Sequence, residues 1–80
     1  MTLIEVIGPD CRRCKELEGM VRAVVAATAS DADVRYVTDP VAIVTRGFFM
    51  RTPGLVIDGV VVAAGRVPSR REIAGWLQRE

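Results

Sequence analysis

Residues 3–14 read LIEVIGPDCRRC, which is an apolar strand, a Gly-Pro turn and two cysteines in direct succession. Asp10 is a candidate N-cap for a helix that begins near Cys11. A thiol in the first turn of a helix meets backbone N–H groups and the positive end of the helix dipole, which favour thiolate over thiol. The stretch therefore predicts a reactive cysteine where the strand passes into the helix.

Cys11 and Cys14 are the only cysteines in the chain. Residues three apart on a helix are neighbours on its surface, so the two sulfurs can form a disulfide across one turn. Apolar residues follow Cys14 at spacings of three and four, which predicts that Cys14 faces the core and Cys11 faces outward. A loop this short constrains the unfolded chain little, so a local redox or metal role fits the pair better than a structural cross-link.

The bulk composition limits the class of protein. The 80 residues, 50% of them hydrophobic, predict one domain over residues 1–80 with a single core. A net charge of +1 provides no global field for nucleic acid or an anionic membrane, so we expect neither as a partner. No apolar run approaches the roughly 20 residues that span a bilayer. We expect a soluble, cytoplasmic monomer.

Four local signals beyond the first helix complete the element order. They predict an edge strand, a short helix, a hairpin and a final helix. In chain order the signals are apolar alternation at 34–37, Asp39-Pro40 with Gly47, Asp58-Gly59, and a capping box at Ser69 and Glu72. The resulting order, βαβαββα, predicts an α/β fold with a right-handed crossover and a four-stranded mixed sheet.

This pattern resembles the thioredoxin-like superfamily, and within it the small glutaredoxin-like redox-active disulfide proteins. The resemblance covers nearly the whole chain. It is carried by residues 8–15 (GPDCRRCK), Thr52-Pro53, residues 55–59 (LVIDG) and residues 64–69 (AGRVPS). A CxxC motif alone is weak evidence, but CxxC, Thr-Pro and this element order together are specific. The resemblance implies a minimal thioredoxin fold with helices on both faces of the sheet.

The resemblance also implies a thiol-disulfide oxidoreductase. Cys11 is the expected nucleophile and Cys14 the expected resolving cysteine, so the two form the redox-active disulfide and no other cofactor is expected. Pro53 is the expected cis-proline facing the disulfide, and Thr52 offers backbone groups to the substrate. The implied partners are a disulfide-containing or dithiol protein, or a small disulfide, and an external reductant. No tryptophan precedes Cys11 and no Gly-Pro separates the cysteines, so the substrates and potential of thioredoxin itself are not implied.

Glu5 has two interpretations. It lies six positions before Cys11, where thioredoxins carry a buried carboxylate that assists proton transfer to the resolving cysteine. In a central strand it shares a face with Leu3 and Ile7, which suits it to general acid/base catalysis. The alternative is a carboxylate at the sheet surface that pairs with an arginine.

Two further groups of residues also have two interpretations each. The first group is cationic and consists of Arg12, Arg13, Lys15, Arg51 and Arg66. It forms either an electropositive rim around the sulfurs or an ordinary solvated surface. In the first case, Arg12, Arg13 and Arg51 are the expected substrate-binding residues. The other group either lines a surface that binds a partner or belongs to the core; it consists of Phe48, Phe49 and Met50.

A second class of function remains open, namely a module that carries a soft metal or metalloid on the two thiolates. Structural zinc takes four ligands and catalytic zinc usually takes three from the protein, but this chain has no histidine and no third cysteine. We therefore expect no zinc site. Two-coordinate Cu(I) remains compatible with the sequence, because thiolates select soft ions.

Overall fold

The computed structural model describes residues 2–28 and 31–78. Their elements are β1 (Thr2–Ile7), α1 (Arg12–Thr28), β2 (Ala32–Val37), α2 (Pro40–Thr45), β3 (Gly54–Ile57), β4 (Val60–Ala64) and α3 (Arg70–Leu77). The predicted order βαβαββα is therefore confirmed. No helix in these residues is long and apolar enough to cross a membrane.

The strands form one mixed sheet in the order β2-β1-β3-β4, with β2 at an edge as predicted. Strand β1 pairs in parallel with β2 and antiparallel with β3, and β3 forms a hairpin with β4. Asp58 and Gly59 in the hairpin turn have φ values of 49° and 81°, which the favoured two-residue turn requires. Because β1 is a central strand, the segment that follows it starts from the middle of one end of the sheet.

Helices α1 and α3 pack on one face of the sheet, which we call the α1/α3 face. The core on this face draws side chains from three strands and two helices. Its buried residues are Ile4, Val6, Leu17, Val21, Val24, Leu55, Ile57, Ala63, Ile73 and Leu77. This core connects segments from both ends of the chain, so it provides most of the apolar burial that stabilises the fold.

Helix α2 covers part of the opposite face, which we call the α2 face. A smaller core there consists of Ile7, Ile43, Phe48 and Val56. Large apolar side chains of α2 and the segment after it remain exposed; they are Val41, Val44, Phe49 and Met50. Helices therefore lie on both faces, which confirms the minimal thioredoxin fold, but the two faces are covered to different extents.

Side chains at the predicted positions cap α2 and α3. The Asp39 carboxylate accepts a hydrogen bond from the Val41 N–H at 3.2 Å, and Gly47 follows α2 with a φ of 83°. In α3, Ser69 and Glu72 form the reciprocal capping box. These local interactions fix where both helices begin.

Candidate active site

Cys11 and Cys14 lie where β1 leads into α1 and form a disulfide, with their Cα atoms 5.0 Å apart. Cys14 is fully buried, whereas Cys11 is exposed. This is the orientation predicted from the apolar spacing along α1. A partner molecule can therefore reach the sulfur of Cys11 but not that of Cys14.

The first turn of α1 differs from the prediction, in which Asp10 is the N-cap. The helix begins at Arg12, so Cys11 takes the N-cap position, and the Cys14 N–H donates a hydrogen bond to the Cys11 Sγ at 3.2 Å. Asp10 precedes the cap and has a φ of 64°. The Cys11 sulfur thus lies against the free N–H groups of the first turn, where a thiolate is stabilised.

Gly8 brings the end of β1 close to the disulfide. A Cβ atom at Gly8 would overlap the Cys14 Sγ, and it would lie 3.8 Å from the Cβ of Thr52. Any larger residue would therefore displace Cys14. The sequence identified Gly8 only as a turn residue, because the close approach depends on where α1 packs.

The Thr52–Pro53 peptide bond is cis and Pro53 is fully buried. Thr52 lies beside Gly8, so the residue before the proline borders the cysteine pair. The Pro53 carbonyl accepts a hydrogen bond from the Gly65 N–H at 2.9 Å. This bond joins the Thr-Pro loop to the loop that follows β4.

An apolar pocket with a volume of about 250 Å³ opens next to Pro9 and Thr52. Its remaining lining residues are Pro40, Ile43, Val44, Phe48, Phe49 and Met50. The segment 48–50 is divided between its two interpretations, because Phe48 is buried whereas Phe49 and Met50 are 67% and 86% exposed. Phe48 belongs to the core of the α2 face, and the other two side chains form an apolar surface beside the cysteines.

Two of the five cationic residues are paired with carboxylates. Lys15 lies 3.9 Å from the Asp10 carboxylate, and Arg66 lies 3.0 Å from that of Glu72. The Arg66 hydrogen bonds, together with the Ser69 backbone, lower the pKa of Glu72 to about 2. Carboxylates thus partly compensate these two charges.

The other three cations, Arg12, Arg13 and Arg51, are exposed. The Nη2 of Arg13 donates a hydrogen bond to the Gly65 carbonyl at 3.5 Å. Within residues 2–28 and 31–78, the side chains of Arg12 and Arg51 have no hydrogen-bond or ion-pair partner. The cationic surface nearest the cysteines is therefore smaller than the predicted rim, but carboxylates do not neutralise it.

Glu5 is nearly buried on β1, with a side chain 11% exposed, and it pairs with Arg46. The Nη1 of Arg46 donates a hydrogen bond to the Glu5 Oε1 at 2.9 Å, and its Nη2 forms an ion pair with the Oε2 at 2.8 Å. The hydrogen bond raises the pKa of Arg46 above its ordinary value. The geometry matches the interpretation of a carboxylate paired with an arginine, and a role for Glu5 in proton transfer stays a prediction.

Sequence reasoning did not name Arg46 as the partner of Glu5. The register neighbour of Glu5 on β2 is Arg35, but Arg35 pairs with Asp33 at 2.9 Å. Arg46 is the residue at the C-cap of α2. Its one sequence signal is its place just before Gly47, at the predicted end of a short helix.

Tyr36 on β2 was also missed. Its hydroxyl is buried near the Asp10 carboxylate, but the two do not meet in hydrogen-bond geometry, and the described part of the chain offers no other partner. Burial, and next the nearby Asp10 carboxylate, raise the pKa of Tyr36 to about 12. Tyr36 is therefore protonated at neutral pH beside the residue that precedes Cys11.

These features support chemistry at sulfur. In residues 2–28 and 31–78, no three His, Cys, Asp or Glu side chains are grouped so that they could hold a metal ion. One reachable sulfur lies at a helix N-terminus, a second sulfur lies buried behind it, and a cis-proline loop lies alongside. On this fold, that arrangement defines the class of thioredoxin-like thiol-disulfide oxidoreductases.

Comparisons with known proteins agree with this class. The family model described as "Thioredoxin domain" matches residues 2–78. The chain is 34% identical to a thioredoxin of Methanocaldococcus jannaschii over 78 residues, which is 98% of this chain and 88% of that protein. It is 33% identical to a thioredoxin of Methanothermobacter thermautotrophicus over 73 residues, 91% and 94% of the two chains. The chain therefore belongs to the thioredoxin domain family and is a thiol-disulfide oxidoreductase.

Proposed function

We propose that this protein exchanges the Cys11–Cys14 dithiol/disulfide with a disulfide-containing or dithiol protein in the cytoplasm. An external reductant recycles it, and no metal or organic cofactor takes part. The observation that carries the proposal is the asymmetry of the pair, in which Cys11 is exposed and Cys14 is fully buried. A partner meets one sulfur first, and the second sulfur is held within bonding distance for the next step.

In the reducing direction, the Cys11 thiolate attacks one sulfur of the partner disulfide, whose other sulfur leaves as a thiolate and takes up a proton. The Cys14 sulfur, having lost its proton, then attacks Cys11 in the mixed disulfide. The second partner sulfur leaves as a thiolate and the Cys11–Cys14 bond forms. Two electrons pass to the partner, and the reverse sequence oxidises a dithiol partner.

Glu5 is the proposed proton carrier for Cys14. Its carboxylate is nearly buried on the strand that leads to the cysteines, and the hydrogen bond and ion pair with Arg46 hold it in one orientation. A fixed carboxylate in a poorly hydrated position is suited to accept or return a proton during exchange.

Thr52, Pro53, Arg12, Arg13 and Arg51 are the proposed substrate-binding residues. The position of Thr52 beside Gly8 supports contact between its backbone and a substrate segment at the disulfide. The exposed apolar side chains next to Thr52 favour a protein as the partner, because a small hydrophilic disulfide would leave that surface in water.

Two single-cysteine variants, C14S and C11S, test the proposal. Each reduced variant is mixed with a disulfide-bonded test protein such as insulin and examined on a non-reducing gel. We expect C14S to accumulate an adduct that a reductant dissolves, because nothing inside the protein resolves the intermediate. C11S should give far less adduct, because its remaining thiol is buried.

The double variant C11S/C14S is the control for non-covalent association. If neither single variant forms an adduct, and both lose Cu(I) binding alike, the function is a soft-metal carrier on two thiolates instead. If C11S traps as much partner as C14S, the assignment of nucleophile and resolving cysteine is wrong.

A further inference from the structure

Two different surfaces adjoin the segment that carries Cys11. Pro9, two residues before Cys11, lines the apolar pocket together with Thr52. Arg13, two residues after Cys11, donates a hydrogen bond from its guanidinium to the Gly65 carbonyl. A substrate segment that reaches Cys11 therefore finds an apolar wall on the Pro9 side and a cation on the Arg13 side.

The segment 50–52 separates the two sides. Met50 and Thr52 line the apolar pocket. The residue between them, Arg51, lies instead towards Gly65, because a Cβ atom at Gly65 would be 3.8 Å from the Arg51 Cα. The Arg13 guanidinium and the Arg51 backbone thus both lie against Gly65, and we call these three residues the cationic edge.

The charge of the cationic edge is not compensated within the described residues. Arg51 has no ion-pair or hydrogen-bond partner there, and Arg13 donates its hydrogen bond to a neutral carbonyl. By contrast, the neighbouring cations Lys15 and Arg66 each lie against a carboxylate. Guanidinium groups bind carboxylates in a planar, two-bond geometry, so an acidic side chain is the complementary ligand.

The apolar pocket is complementary to an apolar ligand instead of a charged one. Phe49 and Met50 are largely exposed, although burial of such side chains is favourable. Methionine adapts its shape to different apolar ligands. The pocket therefore favours an apolar side chain on the bound segment without selecting a single residue type.

We propose that the protein partner carries an apolar side chain on one side of its reactive cysteine and a carboxylate on the other. The apolar side chain enters the pocket, and the carboxylate meets Arg13 and Arg51 on the cationic edge. This inference rests on the proposed function and defines its substrate class. It makes charge and apolar contact two independent contributions to recognition, since they act on opposite flanks of the disulfide.

Four peptides of equal length test the substrate class. Each contains one cysteine in a mixed disulfide with a chromophoric aryl thiol, flanked by Leu or Ser on one side and by Asp or Asn on the other. The reduced protein attacks, the S–S bond breaks and the aryl thiolate is released and measured, after which Cys14 releases the peptide thiol. The same four combinations are also made with the two flanks exchanged, which gives eight peptides in all.

We expect the Leu/Asp peptide, in its better orientation, to react at least tenfold faster than the Ser/Asn peptide at low salt. The ratio of Asp to Asn rates should fall as salt is added, because exposed charges are screened. The ratio of Leu to Ser rates should not fall. In R13Q/R51Q the Asp/Asn ratio should approach one while the Leu/Ser ratio persists, and in F49S/M50S the reverse should hold.

The matched control is R22Q, which removes a cation that pairs with Glu18 about two helical turns beyond Cys14. Rate ratios between peptides cancel any change in the reactivity of Cys11 itself.

If all the peptides react equally, or if R13Q/R51Q keeps the wild-type Asp/Asn ratio, the substrate class is wrong while the exchange reaction stands. If glutathione disulfide reacts as fast as the Leu/Asp peptide, the substrate class is also wrong. If no peptide reacts, the proposed function itself is wrong.

Discussion

The two faces of the sheet differ in what they bury. Among residues 2–28 and 31–78, the core of the α1/α3 face has ten buried residues, whereas the core of the α2 face has four and lies beside the charged pair Glu5–Arg46. The apolar pocket next to the cysteines opens on the side of α2. The fold is therefore stabilised mainly on the α1/α3 face, and the side chains exposed at the pocket on the other face are available for binding.

Truncation of a buried residue on α1 and of an exposed residue on α2 gives the strongest test of this comparison. Leu17 on α1 is fully buried, so Leu17→Ala should lower the free energy of unfolding by about 2–5 kcal/mol. Val41 on α2 is 71% exposed, so Val41→Ala should change it by less than about 0.5 kcal/mol. Urea unfolding monitored by circular dichroism measures both. A cost for Val41→Ala close to that for Leu17→Ala would show that α2 contributes to stability as much as α1 does.

The charged pair on the α2 face gives a second test. Arg46→Met leaves the nearly buried Glu5 carboxylate without its partner, which should cost about 1–3 kcal/mol of unfolding free energy. Arg35→Met removes a guanidinium from a more exposed pair with Asp33, which should cost less than about 1 kcal/mol. Chemical denaturation at neutral pH compares the two variants. Equal losses would mean that burial of Glu5 adds nothing to the strength of its pair.

On the α1/α3 face, the capping box of α3 should make a contribution to stability that is lost in acid. The pKa of Glu72 is lowered from 4.5 to about 2, so its ionised form stabilises the folded state above pH 4.5 and this stabilisation is lost as the pH falls towards 2. Between these values the wild type should lose more stability than Glu72→Gln. Thermal unfolding at a series of pH values measures the difference. Glu16→Gln, at an exposed site on α1, is the control and should follow the wild type.

Tyr36 should show the smallest effect. Its ring packs against the core of the α1/α3 face, but its hydroxyl is buried without a partner in the described residues. Tyr36→Phe removes that unpaired group and should raise the free energy of unfolding by less than about 1 kcal/mol. Tyr36→Leu, which removes the ring, should be less stable than the wild type and than Tyr36→Phe. A clear loss of stability in Tyr36→Phe would indicate that the hydroxyl is hydrogen-bonded in solution.

The element order followed from local chemistry. Asp39-Pro40, Asp58-Gly59 and the capping box at Ser69 each act within a few residues, and each lies where the sequence predicted. The orientation of the cysteine pair followed from helical periodicity in the same way. The predicted cap of α1 was wrong by one residue, because the helix begins at Arg12 and the Cys11 sulfur accepts a hydrogen bond from the Cys14 N–H.

The order of elements and the exposed and buried cysteines could be read from the chain alone, because they depend on periodicity and turn chemistry, whereas the cis-proline was expected only from the family resemblance. Packing of the folded chain was needed to show that Glu5 pairs with Arg46, that Gly8 lies against Cys14 and that Arg13 bonds Gly65. Most of these contacts join residues far apart in the chain, and all depend on how helices and loops pack over the sheet. Local patterns do not encode that packing.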